Sequence, residues 1–335
     1  MILDEILAHK RQEITERRLR RPLSALQAAI GLAPSETRDA RPGQGISLGD
    51  GEPTSRETAD LRPRSDPEVE DGTLSSPPGR AVRPRSTRAG GHAAPTAHET
   101  GVAAASRGFA AALRRPGVSV IAEFKRRSPS GGELRPGASA AEIARVYADN
   151  GAAALSVLTD AAYFGGADQD LVEARAASGL PALRKDFVID EYQVYEARAL
   201  GADAVLLIVR ALSDPDLRGL LALTHRLHLD ALVETHSEDE VRRALDAGAR
   251  VIGVNNRDLD TLVTDVRLAP RLRPLVPATC LFVAESGVST PEQIARLRDV
   301  GADAVLVGES LLRANDPGEQ LRRLVAAGAA RGVPA

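Results

Sequence analysis

Short apolar segments alternate with helical patterns along the chain from Ser106 onward. Eight of these segments have the length and composition of strands: SVIAEFK, AALSVLT, LPALRKDF, AVLLIVR, DALVETH, VIGVNNRD, LFVAESG and AVLVGES. Other segments between them carry apolar residues at spacings of three and four and end in a glycine that would stop a helix: AAEIARVYADNG, DEYQVYEARALG, SEDEVRRALDAG and TPEQIARLRDVG. This alternation of strands and helices predicts a parallel sheet.

Glycines recur in phase with the alternation. Gly151, Gly201, Gly248 and Gly301 precede the second, fourth, sixth and eighth strands, at intervals of about 50 residues. The repeating unit is therefore a pair of strand–helix modules. Such a regular repeat favours a closed barrel over an open doubly wound sheet or a set of eight unrelated units. Without the insertion described next, the chain has close to the roughly 250 residues typical of such a barrel. We expect an α/β fold, a TIM (β/α)8 barrel.

Two segments of different composition precede the barrel. Ile2, Leu3, Ile6 and Leu7 recur at helical spacing, which predicts an amphipathic helix, and no apolar h-region of a signal peptide is present. From about Pro34 to Thr100 the chain is rich in Pro, Gly, Ser and charged residues and has too few apolar residues to offset its ordering entropy. We predict a helical extension at 1–32, a disordered insertion at 33–105, favoured as a solvated linker over a partner-binding segment, and the catalytic barrel at 106–335.

The composition narrows the classes of function. The net charge of −3 gives no basic surface for nucleic acid, and aromatic residues, at 3%, are too few for base-stacking platforms. No apolar run reaches the about 18 residues that a membrane-spanning helix needs. The single cysteine, Cys280, cannot form an internal disulfide, which fits a reducing cytosol, and its apolar segment favours a buried structural thiol. We expect a cytoplasmic protein with no nucleic-acid or membrane partner.

Charged residues end several of the predicted strands, where barrels of this type place their active sites. Because side chains alternate along a strand, Glu123 and Lys125 share the inward face of the first strand. The third, fifth and seventh strands end in Lys185, Glu234 and Glu285. Since alternate strands fill common layers of a barrel, the two lysines and the glutamates of strands five and seven are expected in one layer. Glu123 is expected one layer below Lys125.

Five charges at a barrel mouth are costly to bury unless they pair. For any single residue, a salt bridge that closes the barrel is a reasonable interpretation. For the whole set at matching strand ends we favour a functional site. Mixed ammonium and carboxylate groups push pKa values apart and so supply both a proton donor and a proton acceptor near neutral pH.

The last two strands are followed by glycine- and serine-containing loops. Ser286-Gly287-Val288-Ser289 follows the seventh strand and Gly308-Glu309-Ser310 the eighth. Loops at these positions form the common phosphate site of such barrels, and glycine lets the backbone approach an anion closely. No Gly-x-Gly-x-x-Gly or Walker pattern supports a nucleotide cofactor, and the histidines at 225, 228 and 236 lack partners spaced for a metal. We expect a phosphate ligand and no metal.

Taken together, these segments resemble a known family. VIAEFKRRSPSGGEL closely resembles the signature of indole-3-glycerol phosphate synthase, and ALSVLTDAAYFGG, LRKDFVID, LVETH, VIGVNNRDL, FVAESGV and VLVGESLL resemble later segments of that family in the same order. The N-terminal LDEILAHKRQEI resembles its extra helix, so the resemblance covers residues 1–32 and 106 to about 328. It implies a carbon–carbon lyase of tryptophan biosynthesis that needs no cofactor. Its substrate would be 1-(2-carboxyphenylamino)-1-deoxyribulose 5-phosphate, which closes to an indole ring with loss of carbon dioxide and water.

The resemblance also implies roles for individual residues. Lys185 matches the general acid at the ketone oxygen, Glu234 the acid–base residue of the dehydration, Glu123 a carboxylate that assists catalysis, and Lys125 a lysine that binds substrate anions. Further matches are residues that orient the substrate, Asn255 and Glu285; a phosphate cradle, Ser286, Gly287, Gly308 and Glu309; anion contacts, Arg257 and Ser128; and apolar walls for the anthranilate ring, Phe187, Phe164 and Leu259.

The chain departs from the family pattern in places, and two other functions stay open. Gly131 stands where the family often has a basic residue, Ala167 where it often has serine, and the long insertion could loosen the cover of the active site. One alternative is another phosphosugar barrel, such as a Schiff-base aldolase that uses Lys185. The other is an inactive barrel that binds partners through the insertion, which would lack an acid or a base, and none is missing here. We expect a monomer, although the sequence does not fix the oligomeric state.

Overall fold

The computed structural model describes residues 2–32, 105–129 and 131–329. Two helices come first, α1 (Ile2–Arg20) and α2 (Leu23–Ala29). The predicted N-terminal amphipathic helix is confirmed, because one face of α1 is buried: Leu3, Ile6, Leu7, Lys10 and Ile14. The insertion predicted at 33–105 lies outside the described residues, apart from Ala105.

The strands confirm the predicted TIM (β/α)8 barrel. In chain order they are β1 (Ser119–Phe124), β2 (Arg127–Ser128), β3 (Gly132–Glu133), β4 (Ala154–Leu158), β5 (Ala182–Lys185), β6 (Ala204–Ile208), β7 (Asp230–Thr235), β8 (Val251–Asn255), β9 (Leu281–Glu285) and β10 (Ala304–Val307). β2 and β3 form a small antiparallel hairpin that the sequence pattern did not predict. The other eight lie within the predicted segments, run parallel and close into a barrel in which β1 pairs with both β4 and β10.

Helices surround the barrel. They are α3 (Phe109–Leu113), α4 (Ala140–Asp149), α5 (Ala161–Phe164), α6 (Asp168–Ser178), α7 (Glu191–Ala199), α8 (Asp214–Arg226), α9 (Glu238–Asp246), α10 (Leu268–Leu272), α11 (Pro291–Asp299), α12 (Glu309–Leu312) and α13 (Pro317–Gly328). Many begin after a residue whose side chain accepts a backbone N–H of the first turn: Asp160, Asp190, Ser213, Ser237, Thr290 and Asp316. In the part of the chain described, no helix is both long and apolar enough to cross a membrane.

The four repeated glycines adopt one conformation. Their φ angles are 92° at Gly151, 83° at Gly201, 89° at Gly248 and 81° at Gly301. This is the left-handed region, which glycine adopts without steric cost and which ends a helix. Each glycine therefore ends α4, α7, α9 or α11 and directs the chain into the following strand, so the predicted repeat of paired modules is confirmed.

The barrel wall separates two apolar regions. Along β1, Val120, Ala122 and Phe124 pack with the surrounding helices, whereas Ile121 packs in the barrel interior. The short helix α3 closes the amino ends of the strands, because its Ala110 N–H donates to Asp230 at the start of β7, at 2.8 Å. The opposite end, where the strands finish, is where the cavity lies.

Cys280 immediately precedes β9. Its thiol is half-buried, packs against the helix-facing core and lies 3.5 Å from the carbonyl oxygen of Ala249, to which it donates. The expected structural thiol is thus partly exposed, and it is a free cysteine.

Candidate active site

A cavity of about 370 Å³ lies at the carboxyl ends of the barrel strands. Its volume is within the range of small-molecule sites. Every candidate residue from the sequence except Ser128 lines it: Glu123, Lys125, Phe164, Lys185, Phe187, Glu234, Asn255, Arg257, Leu259, Glu285, Ser286, Gly287, Gly308 and Glu309.

Ser128 has a different environment. It lies on β2, is 4% exposed, and its Oγ accepts the backbone N–H of Gly131 at 3.0 Å. The hydroxyl shapes the β2–β3 hairpin, and the neighbouring Pro129 reaches the cavity instead. The anion contact expected of Ser128 stays a prediction.

The strand register corrects the expected charged layer. Through β10, Glu285 is in register with Ile121 of β1. Positions at one height climb by about one residue per strand in a barrel of this type, so the residue level with Glu285 is Glu123. The layer therefore consists of Glu123, Lys185, Glu234 and Glu285, and Lys125 lies above it. The expectation that Lys125 belonged to the layer with Glu123 below was wrong, because the stagger of the strands cannot be counted from the sequence.

Lys185 is the central cation of this charged layer. Its Nζ lies 3.1 Å from Glu234 Oε2 and 3.5 Å from Glu285 Oε2. Burial alone would lower the pKa of Lys185, but the carboxylates of Glu234, Glu285 and Glu123 outweigh burial and raise that pKa above its ordinary value. The ammonium group therefore holds its proton at neutral pH and presents it to the cavity.

Glu234 is held in the ionised form. Burial would raise its pKa, but Lys185 and then His236 reverse this and lower it, with a further hydrogen bond from Asn255. His236 is buried behind Glu234, with Nε2 3.5 Å from Glu234 Oε1 and Nδ1 3.3 Å from Glu240 Oε2. An ammonium donor and a carboxylate acceptor thus lie side by side on neighbouring odd strands of the barrel.

Glu123 and Lys125 form a second pair. Lys125 Nζ lies 2.6 Å from Glu123 Oε1, and the Ser156 hydroxyl donates to Glu123 Oε2 at 3.2 Å. Burial would raise the pKa of Glu123, but Lys125 and Lys185 lower it. A Cβ at position 308 would lie 2.6 Å from Glu123 Oε1, so Gly308 leaves the room that this carboxylate occupies. The pair leaves the ammonium of Lys125 at the cavity wall.

Glu285 differs from the other two glutamates. Both of its carboxyl oxygens are buried without a hydrogen-bond partner among the described residues. Burial, reinforced by Glu234 and Glu123 and opposed by Lys185, raises the pKa of Glu285 to about 8. Gly253 makes the position possible, because a Cβ there would lie 2.2 Å from Glu285 Oε1. Near neutral pH this carboxyl is therefore held mainly in its neutral form at the wall of the cavity.

We predict that Glu285→Gln raises the melting temperature relative to the parent chain by an amount that grows as the pH rises from about 5 to about 8. In that window the unfolded chain ionises Glu285 while the folded chain keeps it protonated, so the parent loses free energy of unfolding as the pH rises. The glutamine variant lacks this loss. Thermal denaturation at several pH values measures it, with the exposed Glu238→Gln as a control. A difference that is independent of pH would contradict the prediction.

The loops after β9 and β10 form another part of the cavity wall. Ser286 and Gly287 have φ angles of 63° and 78°, so the chain turns sharply at the end of β9. The carboxylate of Glu309 is paired with two arginines: its Oε1 accepts from Arg313 at 3.0 Å, and its Oε2 lies 4.0 Å from Arg257. The loops therefore offer an anion the backbone of glycine and serine positions together with the nearby Arg257 guanidinium.

Phe164 and Phe187 form the apolar wall, with ring centroids 6.3 Å apart and planes inclined by 36°. Leu259 packs in the same apolar cluster. The remaining apolar lining was not predicted to contact a ligand: Pro129, Leu158, Leu206, Ile208, Leu262, Val288, Leu306 and Val307. Leu206 and Ile208 are two apart on β6, and strand alternation applied to the even strands would have found them.

Within residues 2–32, 105–129 and 131–329, no group of three or more His, Cys, Asp or Glu side chains is placed to hold a metal ion. The polar side chains that line the cavity carry ammonium, guanidinium, carboxyl, amide and hydroxyl groups.

The family model and the relatives with similar sequences point to the same family. The family model described as indole-3-glycerol phosphate synthase matches residues 83–324. The chain is 56% identical over 220 residues to indole-3-glycerol phosphate synthase 2 of Streptomyces coelicolor, which covers 66% of this chain and 85% of the relative. It is 55% identical over 218 residues to the synthase of a Parafrankia species, 65% of this chain and 81% of the relative. The synthase of Lachnoclostridium phytofermentans is 47% identical over 216 residues, 64% and 80% of the two chains.

Proposed function

Because the chain belongs to the indole-3-glycerol phosphate synthase family, we propose that it forms indole-3-glycerol phosphate in tryptophan biosynthesis. The substrate is 1-(2-carboxyphenylamino)-1-deoxyribulose 5-phosphate. The ring carbon that bears the carboxylate attacks the ketone, and the ketone oxygen takes up a proton and becomes a hydroxyl. The bond from that ring carbon to the carboxylate then breaks, which releases carbon dioxide and returns its electron pair to the aromatic ring. Finally the hydroxyl leaves as water together with a proton of the newly formed ring. The enzyme is a carboxy-lyase.

One observation carries this proposal: the ammonium of Lys185 lies 3.1 Å from the carboxylate of Glu234 inside the cavity. Ring closure needs a proton donor at the ketone oxygen as negative charge develops there, and Lys185 is held protonated. The later loss of water needs a group that takes a proton from the ring and one that gives a proton to the hydroxyl. Glu234 is held ionised within reach of the same atoms and is our candidate for that acid–base role.

The lining of the cavity matches the three parts of the substrate. We propose that Phe164, Phe187 and Leu259 contact the anthranilate ring, and that Lys125 binds its carboxylate before carbon dioxide leaves. The phosphate is proposed to bind at the loops after β9 and β10, through the backbone at Ser286, Gly287, Gly308 and Glu309 and through Arg257. Asn255 and Glu285 lie between these ends, where they can orient the sugar hydroxyls.

The ion pairs of Lys185 argue against the Schiff-base alternative. A lysine that attacks a carbonyl must first lose its proton, which enzymes achieve by lowering the lysine pKa. Here the neighbouring carboxylates raise it. Borohydride should therefore fail to trap the substrate on Lys185, and covalent trapping would favour an aldolase.

Indole formation tests the proposal directly. The purified full chain is incubated with the substrate without added metal or nucleotide, and indole fluorescence is followed. A rise that depends on the substrate is expected. Absence of a rise would overturn the proposal, unless a chain with residues 34–100 replaced by a short Gly-Ser linker restores it, which would identify the insertion as inhibitory.

We further propose that the enzyme acts in the cytoplasm as a monomer. The only cysteine of the chain is a free thiol, as in a reducing compartment. All groups assigned to the substrate come from one chain, so the cavity does not require a second copy to be complete. Light scattering of the purified enzyme tests the monomer.

A further inference from the structure

Lys10, on α1, is a buried ammonium group outside the charged layer. It is 1% exposed. Its Nζ lies 2.9 Å from Asp160 Oδ2, 2.9 Å from Asp186 Oδ1 and 2.7 Å from Glu13 Oε2. Asp160 and Asp186 follow β4 and β5, so a single cation from the N-terminal helix joins two neighbouring loops at the open end of the barrel.

The first of these loops carries Phe164. Asp160 caps α5 at its start, because its Oδ1 accepts the N–H of Tyr163 at 2.8 Å, and Phe164 is the last residue of that single-turn helix. His9, next to Lys10 on α1, contacts the Tyr163 ring edge-on, with centroids 6.1 Å apart. The helix that carries one aromatic wall is thus attached to α1 at two points.

The second loop carries Phe187. The Oδ1 atom of Asp186 accepts the N–H of Phe187 at 2.8 Å, and its Oδ2 accepts the hydroxyl of Thr159 at 2.5 Å. Lys10 and then Arg184 lower the pKa of Asp186 to about 2 against the effect of burial. The backbone of the second aromatic wall is therefore fixed by the same carboxylate that holds Lys10.

We propose that Lys10 is a positioning residue that sets the separation and inclination of Phe164 and Phe187, and so controls how tightly the aromatic ring of the substrate binds. Lys10 does not line the cavity, so it acts through Asp160 and Asp186. A buried ion pair is by itself weak support for stability, since apolar residues often replace one without loss. Here each partner carboxylate also holds the main chain of a loop that carries a wall residue. The inference rests on the proposed function, because it assumes that an aromatic ring binds between these walls.

Two ligands separate ring binding from phosphate binding. The first is the substrate with its ketone reduced to an alcohol, which keeps the carboxyphenylamino ring. The second is ribitol 5-phosphate, which has no ring. In Lys10→Met we expect the dissociation constant of the ring-bearing ligand to rise about 10-fold and that of ribitol 5-phosphate to change less than about 2-fold, with KM for the substrate raised more than kcat is lowered. Arg20 is an exposed cation on the same helix, and Arg20→Met is expected to leave both dissociation constants unchanged.

The outcomes are distinct. Equal weakening of both ligands in Lys10→Met, or no weakening of either, overturns the inference. If Lys10→Met does not fold, Asp160→Asn tests the same step, because asparagine keeps a capping oxygen but loses the charge that faces Lys10. Weaker binding of the ring-bearing ligand alone supports the inference. Unchanged binding of that ligand overturns it. If the parent chain itself binds the ring-bearing ligand no better than ribitol 5-phosphate and forms no indole, the proposed function fails instead.

Discussion

Lys185→Met should lower kcat by about 1,000-fold or more while the barrel stays folded. Methionine keeps the length of the side chain but removes the proton donor and the positive charge opposite the developing alkoxide, two contributions that are each worth roughly 100-fold or more. In the proposed mechanism both bond formation and carbon dioxide release depend on that proton. We therefore expect the variant to release neither carbon dioxide nor indole at a useful rate.

The measurement pairs single-turnover indole fluorescence with detection of released carbon dioxide, and circular dichroism reports the fold. Lys185→Arg is the matched control: it restores a positive charge but with a group that does not give up its proton. Rates near those of the parent in Lys185→Met would remove the proposed acid. Recovery by arginine would show that charge, and not proton transfer, is what position 185 supplies.

Glu234→Gln should lower the rate of indole formation by about 100- to 10,000-fold, but at a later step than Lys185→Met. Glutamine preserves the shape of the side chain and can still contact Asn255 and Lys185, yet it cannot take up a proton. If Glu234 serves the dehydration, ring closure and decarboxylation continue in the variant and the hydroxylated intermediate accumulates.

Rapid quenching distinguishes this from a general loss of activity. Carbon dioxide should appear in a burst of about one equivalent per enzyme, while indole fluorescence stays near baseline. The exposed Glu238→Gln on α9 serves as the control and should retain the parent rate. Simultaneous loss of carbon dioxide and indole would place Glu234 in the first step, and parent rates for both would remove it from the mechanism.

The fold could be predicted because its pattern is local. Each strand is a short apolar segment, and the four left-handed glycines mark every second strand. The position of Lys125 could not be predicted, because its height above Glu123 and Lys185 depends on the stagger between strands. The place of Ser128 on a small hairpin could not be predicted either, because it depends on a contact with Gly131 that composition does not reveal.

Lys10 illustrates a different limit. A lysine between apolar positions of an amphipathic helix ordinarily faces water, and local pattern gives no reason to bury it. Its partners, Asp160 and Asp186, lie about 150 residues or more further along the chain and meet it only when α1 covers the barrel. Its burial is therefore a property of the tertiary structure alone.

Closure of the barrel by β1 and β10 has a consequence for folding kinetics. All other neighbouring barrel strands are consecutive along the chain, whereas Ser119 pairs with Ala304, and the Val118 N–H donates to the carbonyl of Gly328 at 2.8 Å. Such a non-local contact has the largest loop-closure entropy and favours late formation. β1 also carries Glu123 and Lys125, so refolding chains should regain helical circular dichroism before they regain turnover.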